Sequence, residues 1–150
     1  MIGSYMTIFA RNKRAAFDYD IKDKLEAGIA LSGFEVKAVR AGKASLHGAL
    51  VIIRNNQAWL INCAIAPYQK NPSFPYDSGR NRQLLLHKKQ IGYLAGKQAE
   101  HLTLLPFLMY TNEHNKIKLE IAVGKIRTKY NKKERLKEKA VRRETRLLKP

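Results

Sequence analysis

Lys116-Ile117-Lys118-Leu119-Glu120-Ile121-Ala122-Val123 decides the fold: Ile117, Leu119, Ile121 and Val123 alternate with Lys116, Lys118 and Glu120. A period of two places one face in a core and the other in water, which is the pattern of a half-buried β-strand. Leu102–Tyr110 precedes it across Asn112–Asn115, so the pair predicts a hairpin. Further upstream, Leu50–Ile53 is a short β-branched run closed by Asn55-Asn56. Trp59, Ile61, Cys63 and Ile65 then alternate, and predict the inward face of the returning strand of a second hairpin. Leu25, Ile29 and Leu31, with Ala27 and Ala30, predict a strand that ends at Ser32–Gly33. Two helices are predicted. Val36–Arg40 lies between the stops Gly33 and Gly42, and Lys88–Ala99 carries Ile91, Leu94, Ala95 and Gln98 at helical spacing despite Gly92 and Gly96. Short antiparallel strands with one or two packed helices predict a mainly β fold: a small, closed, OB-like barrel.

Charge divides the chain. It has 150 residues, 45% of them hydrophobic, with a formal charge of +17. One core can form at that length, and the charge points to RNA, DNA or an anionic membrane surface as partner. Gly124–Pro150 holds twelve basic and three acidic residues, so it alone carries +9. A segment this charged and this poor in apolar residues is expected to be disordered alone and to fold on a polyanion. The expected organisation is therefore a flexible N-terminal segment at 1–11, a barrel at 12–123 and a basic tail at 124–150. No apolar run is long enough to span a bilayer, and no cleavable signal opens the chain. One cysteine, Cys63, excludes an internal disulfide; it reads as a small core residue of a protein in a reducing cytoplasm.

Enzyme chemistry is poorly represented. His47, His87, His101 and His114 stand apart, and Asp18, Asp20 and Asp23 sit among lysines like a solvated turn. No ligand spacing, phosphate-binding glycine loop or nucleophile elbow is present, so neither a metal, a cofactor nor a catalytic residue is expected. Pro67–Gln83 is the long irregular piece, with Tyr68, Phe74 and Tyr76 set among Lys70, Arg80 and Arg82. Those aromatics read two ways: as stacking platforms for unpaired bases, or as a cover for the barrel edge.

Several strings are specific enough to compare with a known family. They are Asn12-Lys13-Arg14-Ala15, Leu25-Glu26-Ala27-Gly28-Ile29-Ala30-Leu31, Gly33-Phe34-Glu35-Val36-Lys37 and Arg40-Ala41-Gly42-Lys43-Ala44. Pro67-Tyr68, Arg80-Asn81-Arg82-Gln83-Leu84-Leu85-Leu86-His87 and the tail opening Gly124-Lys125 complete the set. From about Phe9 onward the chain resembles the SmpB family of bacterial trans-translation factors. The tail departs from the family pattern: Ile126-Arg127-Thr128 follows Lys125, and Asn131-Lys132-Lys133 stands where the family has Asp-Lys-Arg.

The resemblance implies an OB-like barrel that binds the tRNA-like domain of transfer-messenger RNA and brings it to stalled ribosomes. It implies as partners the small-subunit decoding region and messenger channel, and elongation factor Tu with the charged RNA. A cytoplasmic monomer is expected. Family RNA contacts fall on Asn12, Glu26, Leu85, His87 and Lys116, and the basic residues of the same strings, Lys13, Arg14, Lys37, Arg40, Lys43, Arg80 and Arg82, complete the expected RNA face. In the tail, Lys125, Tyr130, Lys132, Lys133, Arg135, Lys137 and Lys139 are the expected ribosome contacts.

Some of these residues carry a second reading. Glu26 reads as a hydrogen-bond acceptor for a base edge or 2′-OH, or as half of a structural ion pair. Leu85 reads as RNA-facing or as core, and Lys116 as a phosphate contact or a solvated lysine. Tyr130 has no core to join and reads as a stacking residue. Asn131 and Glu134 suit a capping box, and Glu138 and Arg142 an i,i+4 pair, so the tail is expected to become helical only when bound. The competing function is a ribosomal-protein-like rRNA binder, whose sign is co-purification with every ribosome. An OB-fold nuclease is a further competitor, separable by a cleavage assay on single-stranded RNA.

Overall fold

A computed structural model describes residues 7–127. Nine strands and three helices follow one another: β1 (Ile8–Arg11), α1 (Ala15–Asp18), β2 (Tyr19–Ile29), α2 (Gly33–Arg40), β3 (Ala44–Ser45), β4 (Leu50–Arg54), β5 (Gln57–Ile61), β6 (Ala64–Ile65), β7 (Arg82–Leu85), α3 (Lys88–Ala99), β8 (Thr103–Thr111) and β9 (Ile117–Ile126). The main sheet is antiparallel in the order β1-β8-β4-β5-β7-β2-β9, and β9 also pairs with β8. Pairing therefore runs round a ring, as in an OB-like barrel, while β3 and β6 form a separate two-stranded ribbon.

The alternation that predicts β9 is realised: Leu119, Ile121 and Val123 are fully buried in the main core with Met109, Leu60 and Leu84. Ala122 points the other way and is buried as well, under α1 with Ala15 and Leu105. Asn55 and Asn56 both adopt positive φ and join β4 to β5 in a two-residue turn. That turn sets the phase of β5 differently from the alternation expected there. Ile53 pairs with Ala58 and Val51 with Leu60, so Ala58 and Leu60 face the core while Trp59 and Ile61 lie on the other side. The positive φ of Asn62 then breaks the strand and resets the phase, so Cys63 and Ile65 are buried as expected. Burial pushes the Cys63 thiol up to about 11, as suits an inert core residue.

Strand β2 stops at Ile29, short of Ser32, because Ser32 begins a helix. Its Oγ accepts from the Glu35 N–H at 3.2 Å, and its own N–H donates to Glu35 Oε1 at 2.9 Å. This capping box starts α2 at Gly33, three residues before the helix expected from Val36. Ser32→Ala should cost about 1 kcal/mol, seen as a lower urea midpoint with unchanged m-value.

Helix α3 buries Leu94 and uses Gln98 as a patch on the sheet. Strands β4 and β8 are in register at a single pair, Val51–Leu104. The Gln98 amide accepts from Ile53 N–H at 3.1 Å and donates to Ile53 O at 3.3 Å, taking the place of a neighbouring strand.

The sheet outruns both boundaries drawn from sequence. Ile8–Arg11, within the segment expected to be flexible, is a strand on β8, and β9 continues past Val123 to Ile126. Lys125 is therefore a strand residue opposite Asp20 rather than the start of a tail.

Candidate nucleic-acid interface

The outer face of the ring across β8, β9, β2 and β7 carries one straight cross-strand row. Tyr110 pairs with Lys118, Lys118 with Gly28, and Gly28 with Leu85. Glu26 lies on the same face of β2 as Gly28, one pleat period away. Leu85 is 56% exposed, whereas its neighbour Leu84 is buried, so Leu85 is not a core residue. It can lean over β2 because Gly28 has no side chain: a Cβ there would sit 3.2 Å from the Leu85 Cβ. Glu26 accepts a hydrogen bond from the Tyr110 hydroxyl, and this phenol, not a cation, is the partner the structure gives its carboxylate. Burial, then this bond, pushes the Tyr110 phenol well above its ordinary range.

The other expected contacts fall into separate groups. Arg40 ties α2 to the β8–β9 turn, donating to Asn115 O at 2.8 Å and Asn115 Oδ1 at 3.3 Å while lying 6.0 Å over the Phe9 ring. The same turn carries exposed Lys116, whose N–H donates to Asn112 Oδ1 at 2.9 Å. Arg40 thus positions the platform for Lys116. Lys37 and Lys43 are exposed on α2 and just after it. Asn12 spends its amide on Pro106 O at 3.0 Å, a bond that ties the β1–α1 link to β8 and holds exposed Lys13 and Arg14 beside His47. Two shallow grooves of about 330 and 250 Å³ lie there, both lined by Asn12, Arg14 and His47. His87 is exposed just ahead of α3, where its N–H donates to Gln90 Oε1 at 3.0 Å.

Arg82 requires a correction. It is 0% exposed and its guanidinium is fully used inside the protein. It donates to Glu35 Oε2 at 2.8 Å, Cys63 O at 2.7 Å, Arg80 O at 3.1 Å and Ser78 O at 3.0 Å. An RNA phosphate has no route to it. Arg80 shares the carboxylate, donating to Glu35 Oε2 at 3.0 Å and to Oε1, and also reaches Ala30 O at 3.2 Å. Burial pushes the Glu35 carboxyl up, but hydrogen bonds from Arg80, the Ser32 N–H and Arg82 outweigh it and hold it at about 2.

The aromatics of the irregular segment gather on α2, with Tyr68 and Phe74 each still 45% exposed. Phe34 of α2 is their hub, with Phe74 at 5.0 Å, Tyr76 at 5.1 Å and Tyr68 at 6.4 Å, all edge to face. The Tyr76 hydroxyl donates to Ile65 O at 2.7 Å. Tyr130, Lys132, Lys133, Arg135, Lys137 and Lys139 lie outside the described residues. Among the described residues no group of three or more His, Cys, Asp or Glu side chains could hold a metal, and no helix is long and apolar enough to cross a membrane.

Tyr110, Lys118 and Gly28 were not among the RNA contacts expected from sequence. Lys118 was legible, since it stands on the wet face of the alternating strand β9. Tyr110 was hidden, because a tyrosine in an apolar run reads as core and only the register across three strands brings its hydroxyl to Glu26.

Ring and surface together define a basic, OB-like barrel of the nucleic-acid-binding class. The family described as SmpB protein matches residues 9–149. A relative from Sulfurihydrogenibium, the SsrA-binding protein, is 47% identical over 91% of this chain and 90% of its own length. SsrA-binding proteins of Rubrobacter xylanophilus and Wolinella succinogenes are 43% and 45% identical, covering 93% and 91% of this chain and 93% and 92% of their own lengths. A solved chain described as "tmRNA-SmpB: a journey to the center of the bacterial ribosome" superposes with a TM-score of 0.67 at 37% identity, over 84% of this chain and 87% of that one. This chain belongs to the SmpB family.

Proposed function

We propose that this protein binds transfer-messenger RNA through its tRNA-like domain and delivers it to stalled ribosomes, where the nascent peptide is tagged. The observation that carries the reading is an outer sheet face on which Glu26 and Leu85 converge, in a chain whose family match runs from residue 9 to 149. A single exposed leucine is ordinary on a protein surface, but beside Glu26 on a sheet face ringed by cations it suits a ligand with an apolar face and hydrogen-bond donors. Exposed Lys116, Lys13, Arg14, Lys37 and Lys43, with half-buried Lys118, supply cations for phosphates around it. The protein acts as a binder without turnover, as a cytoplasmic monomer, with elongation factor Tu joining through the charged RNA. Its basic tail is proposed to sense the empty messenger channel.

The test is binding of the isolated tRNA-like domain. The sheet fixes where to cut: β9 runs to Ile126, so removal of Lys125–Pro150 would damage the ring, whereas a chain ending at Arg127 retains it. That shortened chain should keep most of the affinity. Binding should weaken by roughly 0.7–0.9 log units per decade of salt for each phosphate neutralised. Complete loss of binding in a still-folded shortened chain would overturn the assignment of RNA recognition to the sheet face.

A further inference from the structure

We propose that Glu26, held by Tyr110, is the acceptor for the Watson–Crick donor edge of a guanine in the bound RNA, with Tyr110 as a positioning residue that does not itself touch RNA. The inference rests on the RNA-binding reading above and adds what the Glu26 site selects.

A carboxylate on an RNA-facing surface repels phosphate, so in a chain of net charge +17 its presence there calls for a specific donor. The groups around Glu26 leave it free to accept one. Glu120 is directly opposite on β9, but Lys24 lies 3.8 Å from its Oε1 and 4.3 Å from the Phe107 ring centroid, which draws that second acid toward a cation. Lys118 stands in the adjacent cross-strand row and offsets the negative charge. Tyr110 is only 4% exposed, and its hydroxyl donates to Glu26 Oε2. Burial and that same bond keep the phenol protonated, so it remains a donor throughout the physiological range. Oε2 is thereby pinned from the protein side, and since a carboxylate has about four lone-pair sites, the exposed side chain still has acceptor capacity on both oxygens for two adjacent ligand donors.

An ionised carboxylate only accepts hydrogen bonds. Guanine alone among the four bases presents two adjacent donors on one edge, N1–H and the N2 amino group. On the other three, the donor on that edge has a ring or carbonyl acceptor beside it that would meet the carboxylate repulsively. Leu85, laid over Gly28, offers the apolar ledge on which the base or its ribose can rest. The pair Glu26–Tyr110 therefore works as a fixed fork for one base, inside an interface whose lysines bind phosphate without regard to sequence.

The experiment uses the full chain and the tRNA-like domain, with each unpaired guanine replaced in turn by inosine, which lacks the N2 amino group. At one position, inosine should weaken binding of the unaltered protein about 5–10-fold, the size expected for one charge-assisted hydrogen bond. Glu26→Gln should remove that discrimination at the same position. Tyr110→Phe should lower affinity about threefold to fivefold and shrink the inosine penalty, and Glu26→Gln/Tyr110→Phe should bind no worse than Glu26→Gln alone. A purely structural tyrosine would alter stability without changing the guanine-to-inosine ratio. The inference fails if no guanine shows a Glu26-dependent penalty, or if Tyr110→Phe keeps the full ratio. Because Glu26 is on the surface, Glu26→Gln tests the inference even if loss of the tyrosine hydroxyl impairs folding. Failure of the unaltered chain to bind this RNA would overturn the RNA reading itself, and this inference with it.

Discussion

Arg82→Ala should destabilise the protein by about 3–5 kcal/mol, the range for breaking a buried ion pair from one side. The substitution strips Glu35, itself 1% exposed, of one of its two cations. It also leaves the Cys63 carbonyl without its Arg82 donor, while the Ser78 carbonyl keeps only the Ile65 N–H. Urea unfolding at neutral pH should show the loss directly, and RNA affinity of the folded fraction should hardly change. Native-like stability, or a large affinity loss with unaltered stability, would return Arg82 to the RNA face. The same cluster should set the acid limb of the stability curve. Glu35 has a folded pKa of about 2 against an ordinary value of 4.5, so it is depressed on folding. Its contribution, about 3 kcal/mol by linkage, is fully present above pH 4.5 and is lost as pH falls through about 2. Glu35→Gln should lower stability near neutrality and flatten this acid-dependent loss.

Removing residues 128–150 should abolish peptide tagging on ribosomes stalled with an empty messenger channel while leaving RNA binding nearly intact. These residues hold ten basic and three acidic side chains, a net +7 carried by a segment that follows β9 in the chain. On the proposed function, that charge neutralises phosphates where a messenger strand would run, so tail and messenger exclude one another. Tyr130→Ala should weaken tagging by about 1–3 kcal/mol, one stacking contact. Lys132→Glu with Lys133→Glu should be worse, since it inverts charge against phosphate. Undiminished tagging by the shortened protein would reduce the tail to a general affinity arm.

How much of the fold and the RNA face was legible in the sequence depended on how local the deciding interaction was. The β9 alternation, the bounds of α3 and the Asn55-Asn56 turn were readable because each is fixed within a dozen residues. The phase of β5 was not, because Asn62 adopts a conformation that breaks the apparent alternation from Trp59 to Ile65. Arg82 was misplaced for another reason. Arginine in a basic string reads as a phosphate contact, and its carboxylate partner lies 47 residues away. Glu26 and Leu85 were placed by family resemblance. Residue pattern alone left both with rival readings, since the deciding facts are a tyrosine 84 residues off and a glycine on the adjacent strand.

Strand β9 bears on how the molecule is made. Tyr19 pairs with Ile126 and Thr103 with Gly124, so the final strand joins the two longest partners in the sheet. Until it emerges during synthesis, the growing chain carries β2 and β8 each with one edge that lacks its native partner. Contacts between strands about a hundred residues apart also form slowly. The ring is therefore completed only once residue 126 has been made, and a nascent chain interrupted before Ile117 presents two long open edges, the kind of surface that invites pairing between chains.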